Sequence, residues 1–154
     1  MTDTAETALP PLVVNGQYIK DLSFEVPGAP AIYGEMSGQN PDIPIHVDIN
    51  ATPLKDNVFE VVLHLKVEAK LADRPVFIAE LAYGGVFTIN VPQEHAQAML
   101  LIECPRMLFP FARNIIADMT RDGGFPPLMI QPIDFVQLYR SRLDAMSQEA
   151  AGNA

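Results

Sequence analysis

Apolar and polar residues alternate through much of the first half of the chain, and this pattern predicts β-strands. The alternating segments are residues 18–26, 42–50, 59–71 and 76–91. Because successive side chains of a strand point to opposite faces of a sheet, each segment has one apolar and one polar face. Such strands are typical of an antiparallel sheet with one covered face. The pair Gly84-Gly85 in the last segment predicts a bulge or a close approach of other backbone.

Helical spacing replaces this alternation in the second half of the chain. A helical pattern begins near Pro92, and two further prolines lie within it. Pro105 suits a first helical position, whereas Pro110 is expected to kink the helix. Asp134, followed three residues later by Gln137, predicts the cap of a last helix. Strands followed by helices predict an α+β domain with a four-stranded antiparallel sheet.

The proline-containing helix carries a wider apolar stripe than one small sheet needs. Its members are Met107, Leu108, Phe111, Ala112, Ile115, Ile116 and Met119. One interpretation is an ordinary core helix, and the other is a helix that packs against its own sheet and against another subunit. Four strands with two or three helices make a poor core for a monomer, so we expect oligomerisation to complete it.

The 154 residues fit one domain, which we place at residues 11–147. Residues 1–10 are expected to form a flexible N-terminus and residues 148–154 a flexible tail. The start of the chain lacks the basic and apolar blocks of a signal peptide, and no apolar run is long enough for a membrane span. The single cysteine fits a reducing compartment. Together these features predict a cytoplasmic protein.

Charge narrows the choice of partners. Ten basic and nineteen acidic residues give a formal net charge of −9. Such a surface repels nucleic acid and anionic membranes, so we expect neither as a partner. Two interpretations stay open: the acidic residues bind a basic partner, or they only keep the protein in solution.

The sequence contains no recognisable catalytic or metal-binding motif. His46, His64 and His95 fall in separate elements, and Cys104 has no second cysteine. Phosphate-binding and zinc-protease motifs are missing as well. We therefore expect neither an enzyme nor a bound cofactor or metal, with Cys104 as a remote alternative nucleophile. Ile78 lies on the polar phase of its strand, which favours either a contact site or a half-covered strand edge.

Two loops carry apolar side chains that suit adaptable binding. The loop 27–41 contains Tyr33 and Met36, and the loop 123–133 contains Phe125, Leu128 and Ile130. Aromatic and methionine side chains can accommodate varied apolar segments. An exposed strand edge would add hydrogen bonding to the backbone of any extended peptide.

Five sequence blocks resemble the SecB family of bacterial protein-export chaperones. They are Tyr18–Pro27 with Ala29-Pro30, Phe59–Leu63, Gly84–Phe87, Cys104-Pro105 with Leu108–Arg113, and Gly124–Leu128. They stand in the family's order between about residues 12 and 143. The resemblance implies an ATP-independent cytosolic holdase that assembles as a dimer of dimers. Such a protein keeps precursor proteins unfolded and passes them to the translocase ATPase SecA.

The resemblance also implies roles for particular residues. The basic, zinc-containing tail of SecA would bind Asp21, Glu25, Ile78 and Glu80. The groove for the unfolded client would include Tyr33, Met36, Ile43, Ile45, Val47, Phe125, Leu128, Ile130 and Phe135. The tetramer interface would include Met107, Leu108, Phe111, Ile115 and Met119.

The sequence departs from the family pattern in two places. The loop 27–41 contains no tryptophan, and the tail carries a single charge, at Glu149. Two rival functions also stay open. One is a SecB-like chaperone for another system, such as antitoxin control, and the other is an oligomeric scaffold without chaperone activity.

Overall fold

A sheet of four antiparallel strands lies at the centre of the computed structural model, which describes residues 9–152. The strands are β1 (Leu12–Glu25), β2 (Ile45–Lys55), β3 (Val58–Leu71) and β4 (Arg74–Ile89). They lie in the order β1-β4-β3-β2, and every neighbouring pair is antiparallel. The predicted α+β class and four-stranded antiparallel sheet are confirmed. Most of the predicted N-terminal segment 1–10 lies outside the described residues.

Strand β1 differs most from the sequence prediction, because it begins at Leu12 rather than at residue 18. Its pairing with β4 shifts register between Val14 and Gly16 and again between Ile19 and Asp21. Each shift inserts one extra residue and reverses which face the following side chains occupy. The two reversals hide the alternation in the first part of β1.

The glycine pair in β4 marks close packing by side chains. A Cβ atom at Gly84 would lie 2.9 Å from the ring of Tyr18. A Cβ atom at Gly85 would lie 2.7 Å from the ring of Phe87 and 3.0 Å from Leu108. Other atoms therefore do lie close to the glycine pair, but they belong to side chains and not to backbone. The extra residues of the nearby register shifts lie in the partner strand β1.

Helices cover one face of the sheet. They are α1 (Ala31–Glu35), α2 (Gln93–Ala98), a π-helical turn (Met99–Glu103), α3 (Cys104–Asp122) and α4 (Phe135–Gly152). Because α2, the π turn and α3 follow one another without a gap, they form one continuous helical segment. The N–H of Cys104 donates to the carbonyl of Met99, five residues earlier. Pro105, next in the chain, has no N–H to donate inside this continuous helix, so it interrupts the hydrogen-bond ladder directly after the π turn.

The helix boundaries agree only in part with the sequence. The predicted cap of α4 is confirmed, because the N–H of Gln137 donates to Asp134 Oδ1 at 3.0 Å. Helix α3 continues past Pro110 to Asp122, and α1 lies inside a segment that we predicted as a loop. Helix α4 extends to Gly152, so residues 148–152 of the predicted tail are helical. The domain limits of 11 and 147 stay predictions.

The core lies between the sheet and α3. Its fully buried side chains include Val61, Leu63, Leu65, Val67 and Phe87 from the sheet, and Leu108 and Ile116 from α3. Thr120 is buried at the end of α3, where its hydroxyl donates to the carbonyl of Ile116 and accepts the N–H of Leu128 at 2.9 Å. This hydroxyl therefore fixes the loop between α3 and α4 to the helix. Within residues 9–152, none of the helices has both the length and the apolar composition needed to cross a membrane.

Candidate functional site

The sheet face opposite the helices, here called the open face, holds all four residues predicted to bind SecA. In the pairing of β1 with β4, Glu25 lies opposite Ile78, and Ser23 lies opposite Glu80. Asp21 follows on the same face, opposite Ala82. The three carboxylates are exposed and Ile78 is half-buried. The structure thus brings together residues that are more than fifty positions apart in the sequence.

A shallow hollow of about 270 Å³ lies beside these residues on the open face. Asp21 and Glu80 line one side of it, and Asp48 of β2 lines another. His64 also lines the hollow, with its Nε2 3.1 Å from Asn50 Nδ2. Asp48 and His64 are not among the site residues predicted from the sequence. The alternation of β2 and β3 already placed both on a polar face, but it did not reveal that the two strands bring them near Glu80.

Lys66 lies at the centre of a row of charges on the open face. Its Nζ is 3.2 Å from Glu68 Oε1 and 3.4 Å from Glu80 Oε1. Hydrogen bonding to Glu68, and then to Glu80, raises the pKa of Lys66 above its usual value. Lys70 continues the row, with its Nζ 3.7 Å from Glu68 Oε2. The carboxylate of Glu80 is therefore already paired within the chain.

A second polar cluster joins β1 to β3 across the open face. The hydroxyl of Tyr18 donates to Glu60, and Lys20 Nζ lies 2.8 Å from Glu60 Oε1. These bonds, that from Lys20 above all, hold the pKa of Glu60 below its usual value. Burial, together with the neighbouring carboxylate, raises the pKa of Tyr18 to about 12. The ring of Tyr18 also covers Gly84, so the cluster fixes β1 on the sheet.

A groove follows the edge of β2 where α4 approaches it. Two hollows of about 290 and 490 Å³ form this groove. The first is lined by Val47, Asp48, Ile49, Leu101, Leu138, Tyr139, Ser141 and Arg142. The second is lined by Ala51, Phe59, Gln93, Ala96, Gln97, Leu100, Leu101, Arg142 and Met146. Both hollows share Leu101 and Arg142, and Arg142 Nη1 donates to the carbonyl of Ile49 at 2.8 Å. The lining residues from α2, the π turn and α4 are not among the groove residues predicted from the sequence.

The two apolar loops predicted to bound the client groove meet in an aromatic cluster. The ring of Tyr33 stacks on that of Phe125 at 5.2 Å between centroids, and Phe125 lies 5.1 Å from Phe77. The hydroxyl of Tyr33 donates to the carbonyl of Gly123 at 2.7 Å. Tyr33 is exposed, whereas Phe125 is buried. The loops 27–41 and 123–133 are thereby held against each other.

The predicted groove residues divide into surface residues and core residues. Tyr33 is exposed and the half-buried residues are Met36, Ile43, Ile45, Val47 and Leu128. The side chains of Phe125, Ile130 and Phe135 belong to the core of the chain. Of the nine predicted groove residues, Val47 lines the first of the two hollows beside β2. The role of the nine in binding stays a prediction.

The predicted tetramer stripe presents an apolar surface on α3. Met107 is 40% exposed and Phe111 is 52% exposed, while Leu108 is fully buried against the sheet. Ile115 and Met119 are half-buried. The helix therefore has one apolar side that packs inward and a second that faces outward.

Two residues of β1 extend this apolar surface, and the sequence analysis did not find them. Ile19 is 49% exposed and Leu22 is 40% exposed. They pair with Tyr83 and Leu81, which places both on the helix-covered face. The ring of Phe111 stacks 6.2 Å from that of Tyr83 and so connects α3 to this strand. The register shift between Ile19 and Asp21 brings the two side chains to one face, and it leaves no signal in the sequence.

The chain shares its fold with a SecB-like chaperone of known structure. A solved structure of the SecB-like chaperone from Mycobacterium tuberculosis, in complex with a ChAD peptide from the HigA1 antitoxin, is similar to it with a TM-score of 0.66. The similarity covers 79% of this chain and 90% of that chain at 15% sequence identity. This likeness concerns the fold alone.

Sequence comparison identifies the particular family. The family model "Preprotein translocase subunit SecB" matches residues 5–146. The SecB protein-export protein of Paramagnetospirillum magneticum is 62% identical over 151 residues, which are 97% of each chain. That of Rhodospirillum rubrum is 57% identical over 155 residues, covering 97% of this chain and 96% of the relative. The chain belongs to the SecB family and is a protein-export chaperone.

Proposed function

We propose that this chain is an ATP-independent holdase that keeps precursor proteins unfolded in the cytoplasm and delivers them to SecA. The observation that carries the proposal is the apolar groove beside the edge strand β2. Such a groove can take up an extended segment of any suitable sequence, because apolar burial and backbone hydrogen bonds need no sequence code.

The direction of the backbone groups in β2 supports this binding mode. Lys70 and Asp42 exchange both N–H···O bonds, and the N–H of Glu68 donates to the carbonyl of Pro44. In an antiparallel pair, alternate residues turn their backbone groups toward the partner strand and away from it. Following the register of β2 and β3, the backbone groups of Ile45, Val47 and Ile49 point to the outer edge. A client strand could pair there while its side chains enter the adjoining hollows.

Selection of clients would then be kinetic. Apolar burial contributes roughly 25 cal/mol per Å², so affinity accumulates along a long groove from many weak contacts. A precursor that folds quickly buries its own apolar segments before it binds. A slowly folding precursor keeps those segments exposed and is retained.

The open face is the proposed SecA surface. Asp21, Glu25 and Glu80 supply exposed negative charge around the half-buried Ile78. The family resemblance gives this surface a basic partner, the zinc-containing tail of SecA. The proposed SecA residues lie on β1 and β4, whereas the client groove follows the edge strand β2. A client and SecA could therefore be bound at the same time.

Assembly into a homotetramer, a dimer of dimers, would use the outward side of α3. Met107, Phe111, Ile115 and Met119 would contact other subunits, and buried Leu108 would support them from within. An exposed phenylalanine and methionine on one helix, beside exposed Ile19 and Leu22, form an apolar surface that association would bury.

A catalytic role is not part of the proposal. Cys104 is fully buried, and burial raises the pKa of its thiol to about 12. A thiol in this state is a poor nucleophile at neutral pH.

The proposed function can be tested by diluting a denatured precursor protein into this protein without nucleotide. Sizing with light scattering is expected to give a soluble complex with the mass of four chains plus one client. The same precursor, refolded before mixing, is the control and should stay unbound. Aggregated client beside an unoccupied oligomer would contradict the proposed function and favour a scaffold.

A further inference from the structure

The outer edge of β2 is closed at one point by a side chain from α4. Arg142 Nη1 donates to the carbonyl of Ile49 at 2.8 Å. This carbonyl belongs to the series that faces away from β3, so the guanidinium occupies an acceptor that a pairing strand would use. A guanidinium donates strongly to oxygen and stands here where the amide of an added strand would stand.

Arg142 also lies between the two hollows of the groove. One hollow contains Val47 and Ile49, the other contains Ala51 and Phe59, and Arg142 lines both. While its hydrogen bond to Ile49 is intact, the side chain crosses the groove at the place where the hollows adjoin. Release of this bond would join them along β2 from Val47 to Ala51.

The helix that carries Arg142 is attached to the core mainly at its start. Phe135 is 2% exposed and its ring lies 6.1 Å from that of Phe109. Residues 140–152 are exposed. In the part of the chain that the structure describes, the hydrogen bond of Arg142 to Ile49 is the side-chain bond that ties this outer half of α4 to the sheet.

We propose that Arg142 is a latch that limits how far a client strand can pair along β2. This inference rests on the proposed function. A short client segment pairs at Ile45 and Val47 without disturbing α4. A longer segment displaces the guanidinium from the Ile49 carbonyl, moves the outer half of α4 and gains the second hollow. Arg142 thus sets the length of segment that is held with high affinity.

The test compares Arg142→Met with Arg140→Met. Methionine keeps an apolar side chain and removes the hydrogen-bond donors of arginine. Arg140 is an exposed arginine of the same helix, so its replacement is the matched control with the same change in net charge. Stopped-flow mixing with a labelled, denatured precursor is expected to show association about two- to tenfold faster for Arg142→Met alone. Without client, backbone amides of residues 143–152 are expected to exchange hydrogen faster in that variant.

Three results would overturn the latch. Equal association rates and equal amide exchange in the two variants would show that the bond restrains nothing. Weaker client binding by Arg142→Met would make Arg142 a client contact rather than a latch. If the wild-type chain captures no client, the proposed function fails and amide exchange becomes the test of the latch. Equal exchange at residues 143–152 in Arg142→Met and Arg140→Met would then overturn it.

Discussion

The ammonium group of Lys66 lies 3.4 Å from the carboxylate of Glu80, directly across the pair of strands β3 and β4. Glu80 is one of the residues proposed to bind the basic tail of SecA. A lysine or arginine of the tail therefore has to replace or share an ion pair that the chain already makes. Lys66 weakens the attraction of the open face for cations at the point where the partner is expected.

Replacing Lys66 by methionine should strengthen binding of SecA. Removal of the internal cation frees Glu80, and exposed ion pairs of this kind change affinity about twofold to fivefold. Isothermal titration with the isolated basic tail segment at low salt measures the effect, which added salt should reduce. Lys70→Met is the control, because Lys70 contacts Glu68 and leaves Glu80 untouched. An equal gain in both variants would mean that net charge alone is responsible.

Glu80→Lys should weaken SecA binding about tenfold or more, because it places a like charge where the partner's cation docks. Capture of denatured precursor should be unchanged, since the client groove lies elsewhere. Glu94→Lys is the matched control: it makes the same charge change at an exposed position of α2. Loss of both activities in Glu80→Lys would indicate misfolding and would contradict the assignment of this surface.

Phe111→Glu should prevent assembly of the full tetramer, because it introduces a charge into an apolar interface. Light scattering is expected to give a mass of two chains or fewer. Met129→Glu offers a control at equal exposure, since both side chains are 52% exposed in the single chain. A tetrameric Phe111→Glu variant would remove this side of α3 from the proposed interface.

Gly85→Ala should destabilise the fold by about 1–3 kcal/mol, because the new methyl group meets buried rings and methyls that have no room to move. Its Cβ would lie 2.7 Å from Phe87 and 3.0 Å from Leu108. Gly16→Ala is the control, with nothing within 4 Å of its Cβ. Denaturant unfolding of the two variants checks the difference, and equal stabilities would contradict the packing described for α3.

Glu60→Gln should change the pH dependence of stability at both ends of the scale. In the folded chain the pKa of Glu60 lies below its usual 4.5. The charged carboxylate therefore stabilises the fold above that pH, and this contribution is lost as the pH falls through the lowered pKa. The stability difference between wild type and Glu60→Gln should shrink on acidification.

Tyr18 makes the stability of the same cluster depend on pH in the alkaline range as well. Its pKa is raised from 10.0 to about 12, by burial first and by Glu60 second. The neutral phenol thus stabilises the fold below pH 10.0, and this contribution is lost as the pH rises toward 12. Phenolate absorbance should show Tyr18 titrating earlier in Glu60→Gln, with Tyr18→Phe identifying its signal. An unchanged titration would show that the charge of Glu60 does not raise the pKa of Tyr18.

Much of the sheet could be predicted because its strands repeat a simple period. In β3 and β4 every second residue is apolar, and the structure follows that alternation with small changes at the ends. The first part of strand β1 could not be predicted, because two extra residues reverse the alternation of apolar and polar side chains within a few positions. Ile19 was missed for that reason, because the second shift places it on the same face as Leu22.

The candidate sites were predictable to different degrees. The acidic residues of the open face lie on two strands in register, so correct alternation and pairing suffice to bring Asp21 and Glu80 together. The groove depends on how the loops pack, and the spacing of apolar residues in the sequence does not predict loop packing. Phe125 and Phe135 are aromatic, as residues of binding sites often are, but both are buried against other aromatic side chains of the core. Helical spacing places Arg142 on the inner face of the last helix, but it does not reveal the partner, a backbone carbonyl 93 positions away.

The π turn at Met99–Glu103 sets the angular orientation of everything that follows it in the long helix. Each residue of an α-helix advances the side chains by about 100° around the axis, and a π turn holds more residues than an α turn. Deleting one residue there would rotate Leu108 out of the core and swing Phe111 away from its outward position. Chain length in this turn, more than the identity of its side chains, decides which side chains α3 turns outward.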